Sequence, residues 1–187
     1  NSILIKFKEI GDKIHITVAD SGTGIKDLNA AFTLGSHAGA ETLLNEHGFG
    51  FKHALASANP DNNEWLIKTC TADDSAKGQY KEVKAPYILT GFSAEIVQGA
   101  FDSGLGNTGT IIEFTCSRDM FMTIRRGLSG NFQKMSSVLD ILREDLGFTY
   151  SGILSDSGLR IILAIEDNAG NQIYNNVVGQ VTPNWEG

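Results

Sequence analysis

Asp20-Ser21-Gly22-Thr23-Gly24-Ile25 puts an acid at the end of an alternating apolar run, with two glycines at alternate positions behind it. Glycine lets backbone come close to a flat ligand because no Cβ stands in the way. A carboxylate in such a place accepts a hydrogen bond from an exocyclic amino group, which is what adenine offers at N6. The same residues also build an ordinary tight turn after a strand. Asn45-Glu46-His47-Gly48-Phe49-Gly50-Phe51-Lys52 is the second stretch. Its glycines fall where a helix is expected to start, and the free backbone N–H groups of a helix start favour an anion, phosphate above all. Lys52 adds a point charge that can reach phosphate oxygens. A glycine hinge beside a solvated lysine is the plainer reading of the same residues. In Thr108-Gly109-Thr110-Ile111-Ile112-Glu113-Phe114 a Gly-Thr pair opens an alternating strand. Its hydroxyl can bond to the edge of a base or to the acid facing it, and a β-branched residue is at home in any strand.

These residues need a frame. Residues 2–8 alternate with Ile3, Ile5 and Phe7 on one face, Gly11-Asp12 is a turn signal, and 13–19 alternate again with Ile14, Ile16 and Val18 inward. That pattern predicts a β-hairpin with one buried face and His15 on the other. Residues 26–32 suit a short helix, 34–50 a mobile loop with one helical turn, and 50–59 a helix ending before Pro60. Strands are predicted over 64–71, 87–97, 110–116, 159–166 and 172–178, a polar turn over 72–78, and a loop over 98–109. Apolar residues at helical spacing predict a helix over 132–146, with Gly147 as its C-terminal cap. Strands interspersed with helices point to an α+β fold, a mixed and mostly antiparallel sheet covered by helices on one face. The formal net charge of −7 argues against a surface that attracts nucleic acid as a whole. Arg118, Arg125 and Arg126 are read as a solvated loop. No apolar run is long enough to span a bilayer. Cys70 and Cys116 fall in predicted strands without metal-ligand spacing and read as buried thiols of a reducing compartment, cytoplasmic or nuclear.

Taken together and in this order, the three stretches resemble the ATP-binding signature of the GHKL superfamily, which includes DNA gyrase, ninety-kilodalton heat-shock chaperones, histidine kinases and MutL. DSGTGI resembles the family's adenine motif, EHGFGFKHA its glycine-rich lid and TGTIIEF its Gly-Thr strand. The resemblance covers at least residues 2–114 and implies a Bergerat-type two-layer α/β sandwich with ATP and Mg²⁺ as ligands. It implies that Asp20 contacts the adenine amino group, that Gly22, Gly24 and Ile25 line the adenine pocket, and that Thr110 supports that network. His47, Gly48, Phe49, Gly50, Phe51 and Lys52 would form the phosphate-side lid, Lys52 being added on chemical grounds. Asn45 stands where the lid's first glycine is expected. The family's upstream helix, with its Mg²⁺-holding asparagine and water-activating glutamate, has no match here. The chain opens at Asn1 in a strand pattern, so that helix is expected before Asn1, and no catalytic or metal-binding residue is assigned.

The lid wording and the tail, LGFTYSGIL then LRIILAIEDNAGNQI then VTPNW, resemble MORC-like and chaperone-like ATPases more than kinases. The expected organisation is an ATP-binding core over 1–118 and, over 119–187, an extension of it or the start of a transducer-like segment. The implied function is an ATP-binding or ATPase module of a larger machine. Nucleotide would close the lid and promote homodimerisation, nucleic acid would be reached through other domains, and no membrane is involved. A histidine kinase catalytic domain and a non-catalytic nucleotide-binding module are the alternatives.

Overall fold

The computed structural model describes residues 1–28, 31, 50–86, 94–123 and 134–182. Its elements are β1 (Ser2–Ile10), β2 (Lys13–Asp20), α1 (Gly50–Ala58), β3 (Trp65–Cys70), α2 (Ala72–Ala76), β4 (Gln79–Lys84), β5 (Glu95–Gln98), β6 (Gly109–Ser117), α3 (Arg118–Met122), α4 (Met135–Thr149), α5 (Ser151–Asp156), β7 (Arg160–Glu166) and β8 (Gln172–Val177). The expected class holds: the fold is α+β, and among the described strand pairs only β1 with β7 runs parallel. The chain forms two compact units, one of residues 1–20 with 116–187, the other of residues 21–115.

In the first unit β1 and β2 form the hairpin that the alternation predicts. Phe7 faces Ile16 and Ile5 faces Val18 in register, and Gly11 takes the positive φ (+62°) of the tight turn. Ile14 and Phe7 are buried, while His15 is half-buried beside Lys8 on the other face. On the other side of β1 lies β7, whose near-continuous apolar run suits a strand buried on both faces; β8 pairs with it antiparallel. Val138 and Leu139 of α4 are fully buried. The Phe121 ring of α3 packs on Phe7 at 5.2 Å between centroids. Glu166 takes Lys6 at 2.9 Å and Lys8 at 3.0 Å, tying β7 to β1.

Several expectations are corrected here. Arg118 does not lie in a loop: it opens α3, capped by the Ser117 hydroxyl, and its Nε reaches Glu9 at 2.7 Å. Arg125 and Arg126 lie outside the described residues. Gly147 does not end α4, which continues to Thr149. A Cβ on Gly147 would stand 2.3 Å from the Gly179 carbonyl oxygen, and the Val181 N–H donates to the Gly147 carbonyl at 3.1 Å. The glycine is there for a close backbone crossing, not for a left-handed cap.

In the second unit β3 lies between β4 and β6, and β5 follows β4, all antiparallel. Its core gathers Leu28, Trp65, Ile67 and Val83, with Ile25, Leu55, Ile112 and Phe114 packed against them. The polar turn expected over 72–78 is in part a helix. Thr71 caps α2 by accepting from the Asp74 N–H, and the Asp74 carboxylate accepts from the Thr71 N–H in return. The loop of 98–109 contains the end of β5 at Gln98. Of the strand expected over 87–97, residues 87–93 lie outside the described residues.

Candidate nucleotide site

The turn after β2 is built by its neighbours. Asp20 closes β2, half-buried and opposite Ile3 in register, on the face that carries Ile5 and Phe7. Ser21 to Ile25 then bend the chain onto the end of β3. Gly24 has φ +74°, and a Cβ there would lie 2.3 Å from the Cys70 carbonyl oxygen. Both facts require glycine. One residue on, the Ile25 N–H donates to the Thr69 hydroxyl at 2.7 Å. The Ile25 side chain packs on the core of Leu28, Trp65, Ile67 and Val83. The Lys26 carbonyl accepts from Lys81 Nζ at 3.3 Å.

Thr69 joins two of the three stretches singled out in the sequence. It stands directly across from Thr110 in the β3–β6 register, and the two hydroxyl oxygens are 3.1 Å apart. The Gly109 carbonyl lies 3.2 Å from the same hydroxyl. Thr69 accepts from Ile25 and has one proton to give. Given to Gly109, it leaves Thr110 as donor to Thr69; given to Thr110, it frees the Thr110 proton for another acceptor. Thr110 and Thr69 are both buried.

Asp74 braces the same region. Its carboxylate accepts from the Thr71 hydroxyl at 2.7 Å and faces Lys81 Nζ at 3.6 Å. Burial pushes its pKa up, but the Thr71 and Gln79 hydrogen bonds and the Lys81 charge outweigh it and hold the group below the usual carboxylate range. Neighbouring Cys70 is a buried free thiol, raised by burial first and by the Asp74 charge second. Cys116 is likewise buried and free, as expected of it.

The helix expected over 50–59 is present as Gly50–Ala58. No acid lies in its first turn, where Gly50, Phe51 and Lys52 stand. Its far end is fixed by Asn59, whose Nδ2 donates to the Thr115 carbonyl at 2.9 Å while its Oδ1 accepts from the Asn63 and Glu64 N–H groups. His47, Gly48 and Phe49 lie outside the described residues, as does the loop of 34–49. Of the helix expected over 26–32, Leu28 and Ala31 are helical, and the Ala31 N–H donates to the Asp27 carbonyl at 3.2 Å. Among the described residues no group of three or more His, Cys, Asp or Glu could hold a metal ion. No helix among them is long and apolar enough to cross a membrane.

Sequence reasoning missed Thr69, Asp74 and Lys81. Two signals were present: a threonine on the inward side of a strand, in phase with Trp65 and Ile67, and the Thr-x-x-Asp capping pattern at 71–74.

No protein-family model matches the chain, and no curated protein matches it. Solved structures do. The N-terminal domain of a DNA repair protein matches with a TM-score of 0.52 and 18% identity, over 98% of this chain and 48% of that one. The MutL ATPase domain of Aquifex aeolicus complexed with ADP matches with a TM-score of 0.47 and 12% identity, over 97% of this chain and 57% of that one. The chain thus spans about half the length of the structures it matches. The likeness to the DNA repair domain shows a shared fold.

Proposed function

We propose that the chain is an ATP-binding module of the GHKL kind, part of a larger nucleotide-gated machine. The observation that carries the reading is the Thr69 junction: the turn at 21–25 and the Gly-Thr opening of β6, picked out separately in the sequence, meet at one buried hydroxyl. In this reading Asp20 accepts from the adenine amino group. Gly22 and Gly24 give the ring backbone to lie on, and Ile25 supplies apolar surface beside it. Thr110 supports the turn under the base by way of Thr69. The first turn of α1, cationic at Lys52 and free of acid, receives phosphate together with His47, Gly48 and Phe49. ATP supplies the charged phosphates on which lid closure and homodimerisation would depend. The Mg²⁺ implied by the resemblance is assigned to no residue of the chain, and no step is routed through it. Hydrolysis is assigned to no residue of the chain.

Calorimetric titration of ADP and a non-hydrolysable ATP analogue, with Asp20→Asn alongside, tests the reading. The wild type binds both. Asp20→Asn weakens binding roughly ten- to a hundred-fold, the effect of losing a hydrogen bond to a charged acceptor, about 1.5–3 kcal/mol. A folded wild type that binds neither nucleotide overturns it.

A further inference from the structure

We infer that Thr69 is a positioning residue of the nucleotide site: it sets the turn at 21–25 in its binding shape without itself touching the ligand. This rests on the ATP-binding reading above. Thr69 occupies an inward strand position in line with Trp65 and Ile67, and it is completely buried. Packing alone would be served there by valine, which has the same shape and equal liking for a strand. A hydroxyl in that place is costly unless bonded, so its partners are what it is for. Those partners are the Ile25 N–H, at 2.7 Å, and the Gly109-Thr110 opening of β6. The bond to Ile25 falls at the residue where the turn rejoins the core. Gly24 is meanwhile pressed on the Cys70 carbonyl, so the turn cannot slide further toward β3. A turn fixed in advance spares the ligand the entropy of ordering it. Without the hydroxyl the Ile25 N–H would need a new partner, and the glycine backbone would lose its anchor.

The test compares Thr69→Val, which keeps shape and removes the hydroxyl, with Thr69→Ser, which keeps the hydroxyl. Each is titrated with ADP, and hydrogen exchange at the Ile25 amide is followed in the nucleotide-free protein. The expected result is about tenfold weaker ADP binding and faster Ile25 exchange in Thr69→Val, with Thr69→Ser close to wild type in both. Wild-type affinity in Thr69→Val overturns the inference, as does equal weakening in both variants. Should Thr69→Val not fold, Thr69→Cys, a poor acceptor of serine-like size, takes its place against Thr69→Ser. Unchanged Ile25 exchange overturns the anchoring itself. Faster Ile25 exchange in Thr69→Val together with a wild type that binds no nucleotide overturns the ATP-binding reading, and with it the role toward nucleotide, while the anchor stands.

Discussion

At the scale of single residues, the turn at 21–25 is held by demands that one side chain would break. Gly24→Ala meets two of them at once. Its φ of +74° disfavours any L side chain, and its Cβ would enter the space of the Cys70 carbonyl, a backbone atom that cannot swing away. The expected loss is about 2–4 kcal/mol of stability, read as a lower urea midpoint. Nucleotide binding should fall further than stability alone accounts for. The turn itself was legible in the sequence, because Asp and Gly after an alternating strand are turn residues and Gly24 takes a positive φ. Only the inward position of Thr69 was legible, not what it holds. Its neighbours on the strand predict only an inward β residue, and the partner it serves is 44 positions away.

At the scale of elements, period decided what could be read. The β1–β2 hairpin was visible because Phe7, Ile14 and Ile16 lie on one face and Lys6, Lys8, His15 and Thr17 on the other, so hydrophobicity alternates. Helix α1, Gly50–Ala58, was visible for the same kind of reason, with Pro60 beyond its end. Strand β4 escaped because only Val83 in it is buried, leaving QYKEVK without a hydrophobic period. Helices α2 and α5 are five and six residues long, too short to show one. For α4 the glycine was read as a terminus, because sequence cannot tell a cap from a crossing. The crossing gives Gly147→Ala an unusual sign. Inside a helix that change ordinarily adds up to about 1 kcal/mol of stability. Here the added methyl meets the Gly179 carbonyl at 2.3 Å. The expected net result is a loss of about 1–3 kcal/mol, seen as a lower thermal midpoint with helix content retained by circular dichroism.

At the scale of the whole molecule, each unit carries an acid held in its charged form. Asp74 serves one, against burial and by way of Thr71, Gln79 and Lys81. Glu166 serves the other, lowered first by the hydrogen bond from Lys6 and then by that from Lys8. A carboxylate whose folded pKa lies below its unfolded value contributes stability that is complete above the unfolded value and lost as pH falls through the folded one. Both groups therefore weaken the fold on the acid side, beginning near the ordinary values of 3.8 and 4.5. Denaturant midpoints measured from pH 7 downward should be flat at first and then fall. Asp74→Asn and Glu166→Gln should start lower at pH 7 and show a shallower fall. The same steepness in wild type and both variants would assign the acid sensitivity to other groups.

The parallel pairing of β1 with β7 has a consequence for the order in which the protein is made. Ser2 lies beside Arg160, and Lys8 beside Glu166. Chains emerge from the ribosome at about 5–20 residues per second, so the first strand waits on the order of ten seconds for its neighbour. Residues 21–115 form one continuous stretch and are complete well before then. Throughout that interval Ile3, Ile5 and Phe7 belong to a hairpin that lacks β7, its native neighbour on the β1 side, and unpaired strand edges are where nascent β structure most readily binds a chaperone or another chain.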